Sequence, residues 1–497
     1  MSSLTDYSVN DTPMMMDIRS DTLEPITGVQ GTSRRFVFRL DQAGYLDSNS
    51  MLLFKLQGAV NNTNRVNCWN GGLGAIKRAT FQVGDFVIND TDGASEISTL
   101  MNLASVPPSV KNQYWGWFLQ NQLHNKVLDG DVDTLTQYVR GALKGGTGSI
   151  CADKAKSGMS LGDQSNNNAG AAINSCRISN TQATNQQIGI PLGMVFPALK
   201  GRTIPLFLFQ DYRILLSFEF HDGSEFTNDI TQVAGTGVNN ATGANPGMQG
   251  LLGCMSYHDV KLQVDYVIMP AEIQNKDRMM TNQDGGLRLD FLDSIRVEKQ
   301  LLTTTAGAEQ EVEHRIGADN KEVHKIYMTK RFTDTAVRNK VEQTAIFLQQ
   351  RSDAVNQEEY NVNIDGINVF HDWKWSPTSQ YDEASNCLGK DMKVARPTYC
   401  YDDNTIFNGL TPHCSGLGGQ YKPLCLDLGN GNPGVLGSGR NIGAYPIIWK
   451  YKRKPTATIG DTIIAMNGPM EVNYYMLVSK TATIRSTPMG TNVMVSY

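Results

Sequence analysis

Between Ile188 and Met269 apolar and polar residues alternate with a period of two. Tyr212, Ile214, Leu216, Phe218 and Phe220 fall on one side of the first run, and Arg213, Ser217 and Glu219 on the other. Val260, Leu262, Val264, Tyr266 and Ile268 repeat the pattern against Lys261, Gln263 and Asp265. Successive side chains of a strand point to opposite faces, so each run predicts a half-buried β-strand. Pro191, Pro197 and Pro205 forbid a strand between Ile190 and Leu206 and put a short helical turn there. Strand, proline-punctuated turn, strand, long loop, strand is the order that closes one end of a jelly roll.

The same reading extends along the chain. Residues 1–33 carry Pro13 and Pro25, show no sustained period and read as a polar arm. Strands begin at Arg34, where Phe36, Phe38 and Leu40 alternate with Arg35, Val37 and Arg39. Leu52, Phe54 and Leu56 mark the next strand, and AIKRATFQVGDFVIND reads as one strand kinked at Gly84. Ala94, Ile97, Leu100 and Met101 recur at helical spacing. Tyr114, Trp115, Trp117 and Phe118 read as core. Residues 128–187 and 222–250 have little periodicity. Loops beyond ~12–15 residues are uncommon in compact domains and usually serve a function, so these predict a projecting surface.

PAEIQNKDRMMTNQDGG reads as a polar linker helix with a glycine stop. Strands resume at Leu287, Leu289 and Phe291, then Ile295 and Val297. Others follow over residues 323–329 and around the Asp365-Gly366 turn signal. Residues 375–445 are loop-rich, and the last long strand sets Val472, Tyr474, Met476 and Val478 against Glu471, Asn473 and Ser479. The fold class is all-β, two tandem eight-stranded jelly rolls with short helices and long loop insertions. The expected division is an N-terminal arm over 1–33, a first jelly roll over 34–270, a linker helix over 271–285 and a second jelly roll over 286–497.

Composition narrows the function. Of 497 residues 40% are hydrophobic and only 19% charged, against roughly 25% charged in soluble domains. Low charge suits surfaces covered by copies of the same chain. A net charge of −5 gives no global basic field for nucleic acid. The N-terminus lacks a basic and apolar leader pattern, and no run approaches the ~18–20 apolar residues of a membrane helix. The eight cysteines are scattered without CxxC and read as free thiols. Cys400, His413, Cys414 and Cys425 match no zinc spacing.

Several motifs are declined. Gly429–Gly434 satisfies GxGxxG after LCLDL, but no crossover helix can follow. KGGTGS lacks GK[ST]. Asn89-Asp90-Thr91-Asp92-Gly93 lacks the terminal glutamate of a calcium loop and reads as a solvated turn. Asn61-Asn62-Thr63 and Asn240-Ala241-Thr242 match glycosylation sequons. The seven histidines form no HExxH, and no GxSxG occurs. Trp449–Lys454 is a basic, aromatic-interleaved patch, read as a solvated turn or as a contact for nucleic acid, head groups or an acidic partner. No catalytic, cofactor-binding or metal residue is singled out, and no cofactor is expected.

Four blocks carry a likeness to a known family. GAIKRATFQVGDFVIND resembles its early strand pair followed by a helix. IPLGMVFPALKGRTIPLFLFQDYRILLSFEF resembles its IPL…LPL…strand block. VKLQVDYVIMPAEIQNKDRM resembles the junction into the inter-domain helix, and EHRIGADNKEVHKIYMTKRF a strand of the second jelly roll. Over residues 34–497 the chain resembles the double jelly-roll major capsid proteins of large eukaryotic double-stranded DNA viruses, virophages and polinton-like viruses. The resemblance implies a structural protein, not an enzyme, forming pseudo-hexameric homotrimers that tile an icosahedral virion shell. It implies partners in further trimers and in penton and minor capsid proteins, in a shell over an internal membrane, and the N-terminal arm is expected to run beneath the trimer and order against neighbouring proteins or that membrane. It implies no sequence-specific nucleic-acid binding, and synthesis in the host cytoplasm or a viral factory. The alternatives are a jelly-roll glycan-binding module, lectin- or spike-like, and a carbohydrate-active β-sandwich enzyme.

Overall fold

Where the sequence alternates, the backbone is extended. The computed structural model describes residues 17–57, 64–66, 71–102, 177–178, 188–221, 227–229, 256–283, 285–305, 308–333, 357–373, 424–429, 439–443, 446–454, 468–487 and 490–496. The first half contributes β1 (Asp17–Leu23), β2 (Arg35–Leu40), β3 (Tyr45–Asp47), β4 (Met51–Gln57), β5 (Asn64–Val66), β6 (Ile76–Val83) and β7 (Phe86–Asp92). Helix α1 (Ala94–Asn102) follows, then β8 (Arg177–Ile178), β9 (Ile188–Pro191), α2 (Leu192–Val195), β10 (Thr203–Pro205), β11 (Ile214–Phe220), β12 (Thr227–Asp229) and β13 (Ser256–Ile268).

One sheet sets β1 beside β13. The broken strand β3–β4 runs along the other edge of β13, with β10 and β9 outside it. The second sheet runs β2-β11-β6-β7. With β3–β4 and β9–β10 each counted as one interrupted strand, the orders are 1-8-3-6 and 2-7-4-5, which is the jelly roll. Phe36, Phe38, Leu216, Phe218, Leu262 and Val264 fill the space between the sheets. Phe36 meets Phe220 edge-on at 5.7 Å. A bulge between His258 and Lys261, with Asp259 at φ 51°, lets Tyr257 and Val260 both enter this core.

Helix α3 (Ala271–Thr281) leads into the second half. There β14 (Leu287–Leu301), β15 (Gln310–Ile316), β16 (Glu322–Phe332), β17 (Gln357–Ile364), β18 (Ile367–Asn368), β19 (Leu424–Asp427), β20 (Arg440–Asn441), β21 (Ile447–Lys454), β22 (Met470–Thr487) and β23 (Gly490–Ser496) follow. The sheets run β14-β22-β16-β19, with β20 extending the last edge, and β15-β21-β17-β18. With β19–β20 as one strand these are the same two orders, so the topology occurs twice. Asp365 and Gly366, both at positive φ, make the tight turn between β17 and β18. β23 is an addition that folds back on the end of β22.

Several expectations need correction. Residues 17–23 are not arm: β1 pairs with β13 along its whole length, because an otherwise open edge of β13 accepts it; residues 1–16 lie outside the described residues. The run with Gly84 is a hairpin, since Gly84 at φ 58° reverses the chain between β6 and β7. Residues 89–92 belong to β7, with Asn89 and Thr91 buried, so they are no solvated turn. The proline-rich segment has the helical turns expected of it, yet Thr203–Pro205 pairs with β3 at the sheet edge, where a missing N–H is tolerated. At the end of β13, Val267 and Met269 are buried while Ile268 is half-buried, reversing the expected face.

Candidate assembly site: the seam and the open faces

Two strands are shared between the jelly rolls. Along one face of β14, Leu287, Leu289 and Phe291 pack on the first core, whereas Ile295 and Val297 pack on the second. β22 matches it: Val472, Tyr474, Met476 and Val478 belong to the second core, and Ala482 and Ile484 to the first. At the crossover the alternation is broken by one charge on each strand. Asp293 and Lys480 lie diagonally across the pair, since Phe291 faces Lys480 and Asp293 faces Val478. Lys480 Nζ lies 2.7 Å from Asp293 Oδ2, and the Asn89 amide of β7 donates to the same carboxylate. Burial raises the Asp293 carboxyl above the usual range, opposed by Lys480.

A second polar contact comes from α1. The buried Glu96 carboxylate accepts from Thr329 Oγ1 at 2.6 Å and Tyr475 Oη at 2.9 Å. Gly93, at φ 68°, precedes this helix, and a Cβ there would lie 2.2 Å from Tyr475 Oη. Tyr475 points away from the second core, so β22 is buried on both faces, which its glutamate, asparagine and serine positions do not suggest. β23 closes the seam: Val493 enters the first core, the Thr491 amide donates to Asp211 at 2.7 Å, and Tyr212 Oη donates to the Thr491 carbonyl at 2.8 Å. Arg202 donates to the Asp290 backbone carbonyl. Below, Tyr45 Oη donates to the Asp277 carboxylate at 2.6 Å and ties α3 to the first jelly roll; burial raises that carboxyl despite the bond.

The jelly-roll order sends alternate connections to opposite ends. At one end the first half ends β1, β4, β7 and β11 and begins β2, β6, β9 and β13, and the second half ends β14, β16, β18 and β21 and begins β15, β17, β19 and β22. The expected loops 128–187 and 222–250 fall between those strand ends and lie largely outside the described residues, whereas the loop-rich stretch 375–445 also contains β19 and β20. β5, β8 and β12, which follow β4, β7 and β11 in the chain, pair with one another into a small sheet. At the other end, exposed apolar side chains stand at the start of β1 (Ile18, 61%), on α3 (Met279) and beside the β17–β18 turn (Ile367, 67%).

The basic patch is no turn but strand β21. Trp449, Tyr451 and Arg453 are buried, and Trp449 stacks on Tyr360 at 5.3 Å. Lys450 and Lys452 face outward toward Glu313 and Glu311 of β15, at 3.6 and 3.4 Å. Arg453 donates to Gln310 and to the Leu302 carbonyl. The cations are thus matched within the sheet rather than offered to a polyanion. Cys425 is buried with a free thiol. The other cysteines, His413, the 114–118 aromatics, KGGTGS, both sequons and residues 430–434 lie outside the described residues. His221, His314 and His324 are buried and bonded to Ser95, Tyr474 and Ser479. Glu96, Asp293 and Lys480 were not anticipated. The gap between Phe291 and Ile295 in an otherwise regular apolar series is the trace that Asp293 leaves in the sequence.

No family model matches the chain, and no curated protein matches it. Solved structures do. PBCV-1 VP54, fitted into a cryo-EM reconstruction of the virophage Sputnik, aligns with a TM-score of 0.57 at 10% identity, covering 99% of both chains. The quasi-atomic model of the PBCV-1 virus capsid aligns at 0.54 and 11% identity, again over 99% of both chains. At such identity the likeness is one of fold, and it runs from end to end. The chain has a double jelly-roll fold, two sandwiches of identical strand order joined through one continuous seam, and shares its architecture with these viral structures.

Proposed function

We propose that this protein is a major capsid subunit, a structural and non-enzymatic component of an icosahedral virion. Its homotrimers have a pseudo-hexagonal outline and tile the shell by trimer–trimer contacts. The observation that carries this reading is the seam. It sets β7, the fifth strand of the first jelly roll, against β14, the first strand of the second. The equivalent partners at the outer flanks are β1 and β18, and these carry the exposed Ile18 and Ile367. Repeating the internal seam between copies would use both flanks and close three chains into a ring. Obligate interfaces of that kind bury upward of about 2,000 Å² and are poor in charge, which agrees with 19% charged residues. The end-to-end likeness to a virus capsid model supports the same assignment.

We read the working division as a first jelly roll from β1 through β13, a linker over 271–285 and a second jelly roll from β14 onward, with residues 1–16 as the arm. The arm would reach penton or minor capsid proteins, or an internal membrane, beneath the trimer. Ile18→Lys and Ile367→Lys should each leave the subunit folded, with a wild-type circular dichroism spectrum, yet convert trimers to monomers in light scattering. Trimers that persist in both variants would refute these flanks as the interface. Deleting residues 2–16 should leave trimers intact and impair shell closure in electron micrographs; normal shells would remove the arm from that role.

A further inference from the structure

We propose that Asp293, Lys480 and Asn89 form a stop that fixes where the first jelly roll seats on the β14–β22 ribbon. The ribbon presents one apolar stripe, from Leu287 to Val297 on β14 and from Ile484 to Val472 on β22. Two different cores use that stripe. Hydrophobic burial is non-directional, so an uninterrupted stripe would seat the first sandwich almost equally well one pleat repeat away, about 7 Å along. The pair interrupts it at the boundary. Any displacement would carry a carboxylate or an ammonium into an apolar core while leaving Asn89 behind. Asp293, Lys480 and Asn89 are exposed by only 2, 4 and 0%, and desolvation offsets much of the attraction within such a pair. Its contribution is therefore to register rather than to stability, as single buried polar residues set register in coiled coils. Of the neighbouring polar contacts, Arg296 of β14 lies 3.6 Å from Asp92 of β7, but Asp92 is 45% exposed and Arg296 falls on the face of β14 opposite the apolar stripe. Glu96 meets the opposite face of β22 through Tyr475, and Arg202 holds only the Asp290 backbone, so neither marks the boundary between the cores.

The consequence for ring closure rests on the proposed assembly; the stop itself does not. In the full-length chain, Asp293→Leu/Lys480→Met should melt no lower than the wild type. Its amides over 490–496, on the strand that spans both halves, should exchange at least tenfold faster, with those of 472–476 unchanged. Closed trimers should fall at least threefold by mass photometry. Wild-type exchange in β23 together with wild-type trimer yield would overturn the proposal. Asp293→Asn keeps the shape and covers the case in which the double variant fails to fold. The same selective loss of protection over 490–496 is expected, and unchanged protection would overturn the stop. The charge-exchanged Asp293→Lys/Lys480→Asp should regain protection, and failure to do so would also count against it. Because exchange is read within one chain, a wild-type protein that never trimerises would refute the assembly reading and leave this test intact.

Discussion

Gly93→Ala tests whether the seam is as tight as its geometry implies, and Gly201→Ala supplies the control. Both glycines sit in the left-handed region, at φ 68° and 65°. An alanine there costs about 1–2 kcal/mol, reduced by roughly 0.4–1 kcal/mol because the unfolded chain is also restricted. At Gly201 nothing lies within 4 Å of the new methyl group, so the net cost should stop near 1 kcal/mol. At Gly93 the methyl group would meet Tyr475 Oη at 2.2 Å. Tyr475 is wholly buried and cannot swing into solvent. Its hydroxyl must leave the Glu96 carboxylate, and a hydrogen bond to a charged group is worth roughly 1.5–3 kcal/mol. Gly93→Ala should therefore cost about 2–3 kcal/mol more than Gly201→Ala. Two sandwiches need not unfold together, so a single melting midpoint would blur the effect. Native-state hydrogen exchange of α1 and of β22 around Tyr475 reads it locally. Two variants agreeing within about 0.5 kcal/mol would mean that the seam yields freely, and the reading of the Glu96–Tyr475 contact as a tight junction between α1 and β22 would fail.

Leu216 is fully buried between Phe38 and Phe81 on its neighbouring strands. Leu216→Asp places an unpaired carboxylate there and should cost several kcal/mol, read as loss of soluble folded protein or a collapsed melting transition; a wild-type melt would show the register to be wrong. His314, bonded to Tyr474 at 2.7 Å, has its pKa lowered by burial from 6.5 to about 4. The neutral ring is the folded form, so its contribution is complete above pH 6.5 and is lost as the pH falls toward 4. The wild-type melting temperature should drop across that window and His314→Asn should flatten the drop; equal slopes would assign the acid sensitivity elsewhere.

The sandwiches were legible because alternation is a local consequence of the pleat. Phe36 to Leu40, Ile214 to Phe220 and Val260 to Tyr266 each show their buried face in the order of residues alone, and Asp365-Gly366 shows its turn. Two kinds of feature were not legible. β1 looks irregular because its polar residues lie on an exposed edge, and only the free side of β13 gives it a partner. The seam looks like ordinary strand sequence because Tyr475 and Asn473 occupy positions that would face water in a lone sandwich. Thus the sequence by itself determined an all-β chain with two successive jelly rolls and their cores. The tertiary structure decided that β14 and β22 serve both cores, that Glu96 and Asp293 are buried, and which flanks remain open. A strand's own residues record which side is apolar, whereas what covers the other side depends on elements hundreds of residues away.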